Sequence, residues 1–170
     1  MIQATLLHVP IVSVEPVSMA VANGLMVDWG HRLGPVNRPF HQEAYTLSVD
    51  GSPVSVATSG SSVSTTVDRY RRNEVVELTR LCSDPEQRWA TRVMLRLWRA
   101  QLAQRWECWP VKAGTSYSHN AMHAGDIYRF DGWERIRDDC GSSGGGSWST
   151  PRDASTPVHG SKTLWIWRYL

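Results

Sequence analysis

Apolar and polar residues alternate with different periods along the chain, and each change of period marks a predicted element. Residues 4–14 are rich in β-branched side chains and predict a strand, which Pro10 places at a sheet edge or bulge. Ser18 is a suitable N-cap for a helix over residues 19–29, where apolar side chains recur at helical spacing. Residues 31–40 contain two prolines and a glycine and predict an irregular loop of the kind that often contacts substrate.

A β-hairpin is the clearest local prediction in the first half of the chain. Its strands, residues 45–49 and 54–58, alternate in polarity on either side of the Asp-Gly pair at residues 50–51. This pair tolerates the positive φ angles of a tight turn. Residues 58–66 form a Gly/Ser/Thr-rich flexible connection, and residues 74–81 are apolar enough for a central, largely buried strand.

In the second half the pattern changes to a helical period from Asp84, with Pro85 and Glu86 in the first helical turn or in the loop just before it, and the helix continues to about Arg105. Its predicted apolar stripe comprises Trp89, Val93, Leu95, Leu97, Trp98 and Leu102. Residues 107–115 predict a second central strand. Because a helix separates it from residues 74–81, the two strands should be parallel and joined by a right-handed crossover.

The remaining elements are short. Residues 125–131 predict a helix that Gly132 ends, and residues 134–137 and 164–170 predict strands. Between those strands lie a flexible Gly/Ser tract and an irregular polar segment. We expect the last strand, which is rich in tryptophan, to be able to pair with another chain, so a homodimer is plausible.

Composition limits the class of protein. A chain of 170 residues suits one domain, here residues 1–170, and a net charge of +2 argues neither for nor against nucleic acid. Three cysteines without a CxxC pair favour a reduced, intracellular setting, and Cys82 is best interpreted as a small buried hydrophobe. No long apolar run or signal peptide is present, so we expect a cytoplasmic protein, in a bacterium or phage-infected host, without membrane contact. Nine tryptophans indicate large core anchors, some of them available to line a pocket.

Basic residues concentrate on the predicted long helix. They are Arg88, Arg92, Arg96, Arg99 and Arg105. A solvated helix face is the simpler interpretation, and a phosphate-facing patch is the alternative.

The order of the predicted elements resembles that of the GCN5-related N-acetyltransferase (GNAT) superfamily. Residues 128–133, YRFDGW, are similar to that superfamily's Tyr-x-x-x-Gly-aromatic signature. The resemblance implies a mixed α/β fold with a twisted central sheet of six to seven strands flanked by helices. In that fold, two parallel strands separate from each other at the cofactor cleft. It also implies acetyl-CoA or another acyl-CoA as cofactor, with Tyr128 as the acid that protonates the departing thiolate.

The resemblance further locates a cofactor site. Backbone groups near Leu78, Arg80 and Leu81 would pair with the pantetheine arm, and the loop that opens the long helix would hold the pyrophosphate. That loop comprises Gln87, Arg88, Trp89, Ala90, Thr91 and Arg92. It lacks the family's glycines, and Trp89 is expected to narrow it. Either its small residues suffice, with Arg88 or Arg92 contacting phosphate, or the cofactor site is altered or lost.

A narrower resemblance is to small phage and prophage proteins related to the Mom DNA-modification protein of bacteriophage Mu. It rests on the stretches WGHRLGPVNRPF, EVVELTRLCSD, GGGSWSTPR and TPVHGSK, and on SYSHNAMHAGDIYRFDGW. The acceptor implied is a base in DNA, with a small amine as the other possibility. The alternative function is a non-catalytic nucleic-acid- or protein-binding module on a degenerate acetyltransferase fold.

Candidate acceptor-side residues lie mainly in loops. They are Arg32, Asn37, Arg38, Ser116, Tyr117, His119, Trp148 and Arg152. Candidates for the general base are His31, His119, Asp126 and a water chain, and His31 is the preferred catalytic residue among them. His119 and His123 are four residues apart, but they lack a HExxH pattern, so we expect no metal site there.

Overall fold

The computed structural model describes residues 9–39, 41–140 and 161–169. The strands are β1 Val12–Val17, β2 Gln42–Val49, β3 Ser52–Gly60, β4 Thr66–Val67, β5 Tyr70–Arg71, β6 Val75–Ser83, β7 Ala113–His119, β8 Glu134–Arg137 and β9 Lys162–Arg168. The helices are α1 Met19–Asp28, α2 Trp89–Leu97 and α3 Asp126–Phe130. A π turn, Trp98–Leu102, and a 3-10 turn, Ala103–Arg105, extend α2, and another 3-10 turn, Arg72–Glu74, precedes β6.

Seven strands form one mixed sheet in the order β1-β2-β3-β6-β7-β9-β8, and β4 and β5 form a separate hairpin. The pair β6–β7 is parallel, and the other ladders of the large sheet are antiparallel. This confirms the predicted fold class and the parallel crossover. The sheet positions the site because β6 and β7 lie at its centre.

Several local predictions are confirmed. Ser18 caps α1 by accepting the backbone N–H of Val21. The β2–β3 hairpin turns at Asp50 and Gly51, which both have positive φ. The short helix α3 and the strand β8 lie within the predicted ranges, and Gly132 follows α3 at a φ of +87°. These elements depend on turn and cap residues whose conformational preferences act locally.

Strand boundaries were harder to predict. Residues 107–115 were predicted as a strand, but β7 begins only at Ala113. Pro110 has no N–H to give to a ladder, and the indole of Trp109 instead donates to the Val75 carbonyl at 3.0 Å. At the N-terminus β1 begins at Val12 and occupies the predicted sheet edge, while the first eight residues of the chain lie outside the described residues.

The region between β3 and β6 is more regular than predicted. The Gly/Ser/Thr-rich tract, residues 58–66, was interpreted as a flexible connection, yet β3 continues to Gly60 and the β4–β5 hairpin begins at Thr66. Arg72 stabilises the segment between β3 and β4, because its guanidinium donates hydrogen bonds to the carbonyls of Val63 and Ser64. Backbone carbonyls bound in this way order a segment that composition alone describes as flexible.

The buried stripe of α2 differs from the predicted one. Trp89 and Val93 are 49% and 37% exposed, whereas Ala90 and Met94 are fully buried together with Trp98. The buried positions recur every four residues, as an amphipathic helix requires. The prediction followed the larger side chains and so selected the neighbouring face at the start of the helix.

Helices cover both faces of the sheet. On one face α1 packs through Ala22 and Met26 against Val56 and Cys82, which confirms Cys82 as a buried hydrophobe. The other face carries α2 and α3, and its core contains Trp98, Trp106, Trp133 and Trp165, as predicted for tryptophan. No helix in the described residues has the length and apolar character needed to cross a membrane.

The last strand occupies a different place from the one predicted. Because β9 pairs with β7 on one side and β8 on the other, its edges are already used, and β1 and β8 are the outer strands. The argument for dimer formation through the last strand was therefore wrong. The Gly/Ser tract at residues 141–146 lies outside the described residues, as does nearly all of the irregular segment at residues 148–162.

Candidate active site at the opening between two parallel strands

The two central strands separate part of the way along their length. Their ladder pairs Val75–Leu78 with residues 113–116, and within the described residues it goes no further, although both strands continue. On its other side β6 remains paired with β3 as far as Ser83, with a register shift opposite Thr79. Beyond Leu78, β6 therefore has no partner strand on its β7 side, and backbone groups that point there can pair with an extended ligand, apart from the Thr79 carbonyl, which accepts from Arg80.

Tyr128 is held at the start of this opening. Gly125, in the left-handed conformation at a φ of +76°, precedes α3 and packs against Trp165. The Tyr128 hydroxyl lies 2.9 Å from Ser116 Oγ, and Ser116 donates to the Leu78 carbonyl at 3.1 Å. Either hydroxyl can donate in this contact, and Ser116 donates to the phenolate when Tyr128 loses its proton. The phenol is thereby tied to the last rung of the parallel ladder.

The surroundings of Tyr128 keep its phenol neutral. Its ring stacks on Trp165 at 5.8 Å and meets Trp133 edge-on at 5.4 Å. Burial raises the pKa of Tyr128 above that of a free tyrosine, and the hydrogen bond with Ser116 partly offsets the rise. A protonated phenol that is held in place is suited to act as a general acid.

The turn between β6 and α2 brings the predicted pyrophosphate-binding residues together. Trp89 donates its indole N–H to Gln87 Oε1 at 2.6 Å and is half exposed, while Ala90 is completely buried. The hydroxyls of Thr91 and Ser83 are 2.6 Å apart and connect the helix to the end of β6. The first N–H groups of α2 begin at this turn, where the helix dipole favours an anion.

Four of the five basic residues predicted on the long helix form two groups. Arg88 and Arg92, beside the turn, are exposed and form no ion pair with any described residue. Arg96 and Arg99 both pair with the buried Asp131, at 3.0 and 2.5 Å. Two of the arginines therefore attach the long helix to the end of α3, while two others remain available to a phosphate.

The opposite side of the opening is formed by the loop after α1. Arg80 extends toward this loop and donates to the carbonyls of Gly34 at 3.3 Å and Thr79 at 2.8 Å, and more weakly to that of Leu33. Arg38 forms two hydrogen bonds with the buried carboxylate of Glu77, at 2.5 and 3.2 Å. The structure thus places the side chain of Arg80 on the α1 face, whereas the predicted pyrophosphate loop leads into α2.

Three histidines lie close together on this side. Burial, Arg80 and His123 lower the pKa of His31 to about 4. Partial burial, His119 and Arg32 likewise lower the pKa of His123. His119 is only 6% exposed, and neither of its ring nitrogens has a partner among the described residues. No group of three or more metal-ligating side chains occurs in the described part of the chain.

The other predicted acceptor-side residues are spread more widely. Arg32 and Asn37 are exposed in the loop after α1. Tyr117 lies on the α1 face of β7, where burial and the nearby Glu77 raise its pKa to about 12. Trp148 and Arg152 lie outside the described residues.

Sequence reasoning missed two carboxylates that organise the site. Glu77 is an acidic residue within an apolar strand, a pattern that signals a buried ion pair, and Arg38 supplies the partner. Asp131 lies inside the Tyr-x-x-x-Gly motif, directly before Gly132, and pairs with two arginines of the long helix. Neither partner could be identified from spacing along the chain, because each pair joins residues more than 30 positions apart.

Comparison with protein-family models and with curated protein sequences gave no match. Among solved structures, a Staphylococcus epidermidis protein described as a probable acetyltransferase aligns with a TM-score of 0.61 and 9% identity, over 94% of this chain and all of the other. The ribosomal-protein-S18-alanine N-acetyltransferase of Escherichia coli aligns at 0.60 and 10%, over 93% of this chain and 94% of the other. Arabidopsis thaliana NAA60 in complex with acetyl-CoA aligns at 0.56 and 9%, over 93% and 98%. At these identities the likeness concerns the fold, and this chain has the fold of the GNAT acetyltransferases.

Proposed function

We propose that this protein, over residues 1–170, is an acyl-CoA-dependent N-acyltransferase in which Tyr128 is the general acid. The observation that carries the proposal is the neutral, buried phenol of Tyr128 at the point where β6 and β7 separate. The fold adds support, since one protein that shares it binds acetyl-CoA. An acid at this position can protonate a thiolate as it departs.

The residues present fit an acyl-CoA. The backbone of β6 continues through Arg80 and Leu81 without a partner strand on its β7 side, so a backbone group that points there can pair with the pantetheine arm. The turn at residues 87–92 offers the N-terminus of α2, with Arg88 and Arg92 unpaired among the described residues. When bound, such a cofactor would supply an acyl thioester for attack by an amine. A backbone N–H of β6 would polarise the thioester carbonyl, and Tyr128 would hold the proton that the departing thiolate needs.

In this proposal the acceptor reaches the opening from the side formed by the loop after α1. His31 is neutral at pH 7 because its pKa is about 4, so its imidazole can accept a proton from an amine, directly or through water. We propose a base in DNA as the acceptor, with a small amine as the other candidate. The resemblance to Mom-related phage proteins supports the DNA base, which must then be flipped out of the duplex or presented in a single strand.

One observation favours a second function, a non-catalytic module that binds nucleic acid or protein. The turn at residues 87–92 contains no glycine, so close approach of its backbone to a pyrophosphate is restricted. The outward position of Trp89 and the small, buried Ala90 reduce the weight of this observation. The module would bind DNA in a salt-dependent manner and have no affinity for a thioester.

Calorimetric titration with acetyl-CoA separates the two functions. The enzyme binds acetyl-CoA, and Tyr128→Phe retains binding while its rate of acyl transfer falls by roughly 100-fold. Tyr169→Phe is the matched control, because Tyr169 is also mostly buried but its hydroxyl has no partner among the described residues. Absence of acetyl-CoA binding together with salt-dependent DNA binding would support the module. Mass spectrometry of nucleosides from cells that express the protein tests the DNA acceptor, and an unmodified digest would contradict it.

A further inference from the structure

Arg80 is a largely buried guanidinium with no carboxylate partner in the described part of the chain. Its hydrogen bonds go to three backbone carbonyls, those of Leu33, Gly34 and Thr79. Burial and the neighbouring charge of Arg38 lower the pKa of Arg80, and Glu77 opposes this only in part. Backbone carbonyls satisfy its N–H groups but do not neutralise its charge.

The carboxylate nearest to Arg80 is already engaged. Glu77 is 4% exposed and accepts two hydrogen bonds from Arg38. Among the described residues, the guanidinium groups of Arg38 and Arg80 therefore have only the carboxylate of Glu77 to balance their charge, and one positive charge is left uncompensated. Arg32, close enough to His123 to lower its pKa, adds another positive charge. Asp126 is also near His123, but it pairs with Arg129 at 3.0 Å and is largely exposed.

Unused hydrogen-bonding groups lie beside this charge. Both ring nitrogens of the buried His119 and the Nδ1 atom of His31 have no partner among the described residues. Arg80 donates to the Gly34 carbonyl, and the Gly34 N–H bonds to the His31 carbonyl at 2.8 Å, so Arg80 and His31 lie beside the same turn. His123 is near His31, and its N–H bonds to the His119 carbonyl at 3.1 Å, so His119 adjoins this group. An uncompensated cation beside empty imidazole nitrogens is the arrangement that binds an anion through charge-assisted hydrogen bonds.

We propose that Arg80, His31 and His119 form a site for an anionic group, a carboxylate or a phosphate, carried by the acceptor substrate. This inference rests on the proposed function, because it assigns the α1-loop side of the opening to the acceptor. The site excludes simple alkylammonium acceptors, since their charge would meet Arg80 without a free carboxylate nearby. It selects an acceptor in which an amine and an anionic group belong to the same molecule.

The proposal is tested with inorganic phosphate and acetate as separate probes in the absence of any coenzyme. Histidine ring resonances are followed by NMR while each anion replaces chloride at constant ionic strength. Either anion should shift the resonances of His31 and His119 and raise the pKa of His31, because a negative charge stabilises its protonated form. The anion that causes the larger shifts at the same concentration identifies the anionic group of the acceptor as a phosphate or a carboxylate.

A substitution of Arg80 provides a second test of the anion site. Arg80→Gln keeps a donor for the loop carbonyls but removes the charge, and it should weaken the anion-induced shifts by at least about tenfold. Arg72→Met is the matched control, because Arg72 also donates to backbone carbonyls, those of Val63 and Ser64, but is exposed. It should bind the anion like the original protein. If Arg80→Gln does not fold, the titration of the unaltered protein decides alone.

The outcomes separate this inference from the proposed function. Unchanged histidine resonances with both anions overturn the anion site, whatever acetyl-CoA does. Shifts that survive Arg80→Gln also overturn it, because the anion would then bind elsewhere. Phosphate bound at the N-terminus of α2 would leave these histidines unaffected. A bound anion with no affinity for acetyl-CoA would retain the site and refute the acyltransferase.

Discussion

The hydroxyl of Ser116 influences how readily Tyr128 releases its proton. The hydrogen bond between them lowers the Tyr128 pKa against the rise caused by burial. Ser116→Ala should therefore raise the pKa of Tyr128 further and reduce the acyl-transfer rate by roughly tenfold, since a neutral hydrogen bond contributes about 1 kcal/mol. NMR titration of ¹³C-labelled tyrosine rings measures the pKa without requiring a known acceptor.

Ser118 provides the control for this prediction. It lies on the same strand and the same face, is fully buried, and accepts the indole N–H of Trp165 at 2.8 Å. Ser118→Ala should lose similar stability and leave the ionisation of Tyr128 almost unchanged. Equal pKa changes in the two variants would show that Ser116 acts only through packing.

His31 should make the protein less stable in weak acid. Its pKa is about 4 in the folded protein, against 6.5 for the free side chain, mainly because it is buried. The unfolded chain therefore binds a proton before the folded one does. The stability that His31 contributes is present above pH 6.5 and is lost as the pH falls toward 4, by roughly 1–2 kcal/mol after allowance for partial exposure.

Urea unfolding at pH 7 and pH 5 measures this loss. His31→Asn should show a smaller fall in unfolding free energy between the two pH values than the original protein. A fall of the same size in both proteins would assign the acid sensitivity to other groups.

At the scale of elements, one glycine determines where α3 begins. Gly125 has a φ of +76°, and a Cβ atom there would lie 2.6 Å from the ring of Trp165. Gly125→Ala should cost at least about 2 kcal/mol through backbone strain and displacement of Trp165. It should also impair catalysis, because Tyr128 lies on α3.

Gly24 is the matched control for this substitution. It lies within α1, and an added Cβ atom there meets no atom within 4 Å. Gly24→Ala should stabilise the protein by about 0.5–1 kcal/mol through helix propensity. Thermal unfolding of both variants tests the pair, and a similar effect of the two substitutions would contradict the role of Gly125.

The attachment of α2 to α3 should depend on one arginine more than on the other. Arg99 is 21% exposed, pairs with Asp131 and stacks on Trp167 at 3.9 Å, whereas Arg96 is 60% exposed. Arg99→Met should cost about 1–2 kcal/mol and Arg96→Met at most about 0.5 kcal/mol. Chemical unfolding compares them, and equal costs would contradict this assignment.

At the scale of the whole molecule, the sequence predicted what local chemistry determines. The Asp-Gly turn, the Ser18 cap and the Gly132 stop each specify one element through backbone preferences. The parallel crossover followed from the order strand, helix, strand. The class of fold was predictable for this reason, together with the Tyr-x-x-x-Gly-aromatic motif.

Long-range pairing determined the rest. Nothing local to residues 162–168 indicates that β9 is inserted between β7 and β8, so the strand was mistaken for a sheet edge. The start of β7 depends on Pro110 and on the bond from Trp109 to Val75. The partners of Glu77 and Asp131 come from distant segments. Tertiary contacts of this kind leave little trace in the pattern of one sequence.

The predicted site residues that the structure describes lie on β6, β7 and α3, in the loop after α1 and at the start of α2, whereas Trp148 and Arg152 lie outside the described residues. The opening beyond Leu78 joins the Tyr128 side, under α2 and α3, to the histidine side, under the α1 loop. An enzyme that binds its donor on one side and its acceptor on the other needs such a passage. The central claim is therefore that acyl-CoA occupies this opening.

Hydrogen–deuterium exchange with and without acetyl-CoA tests that claim most directly. Acetyl-CoA should slow exchange in peptides that cover residues 79–92 and 116–119, because it would pair with the free edge of β6 and with the start of α2. The β2–β3 hairpin should exchange as before. Unchanged exchange throughout, or protection confined to other segments, would contradict the account.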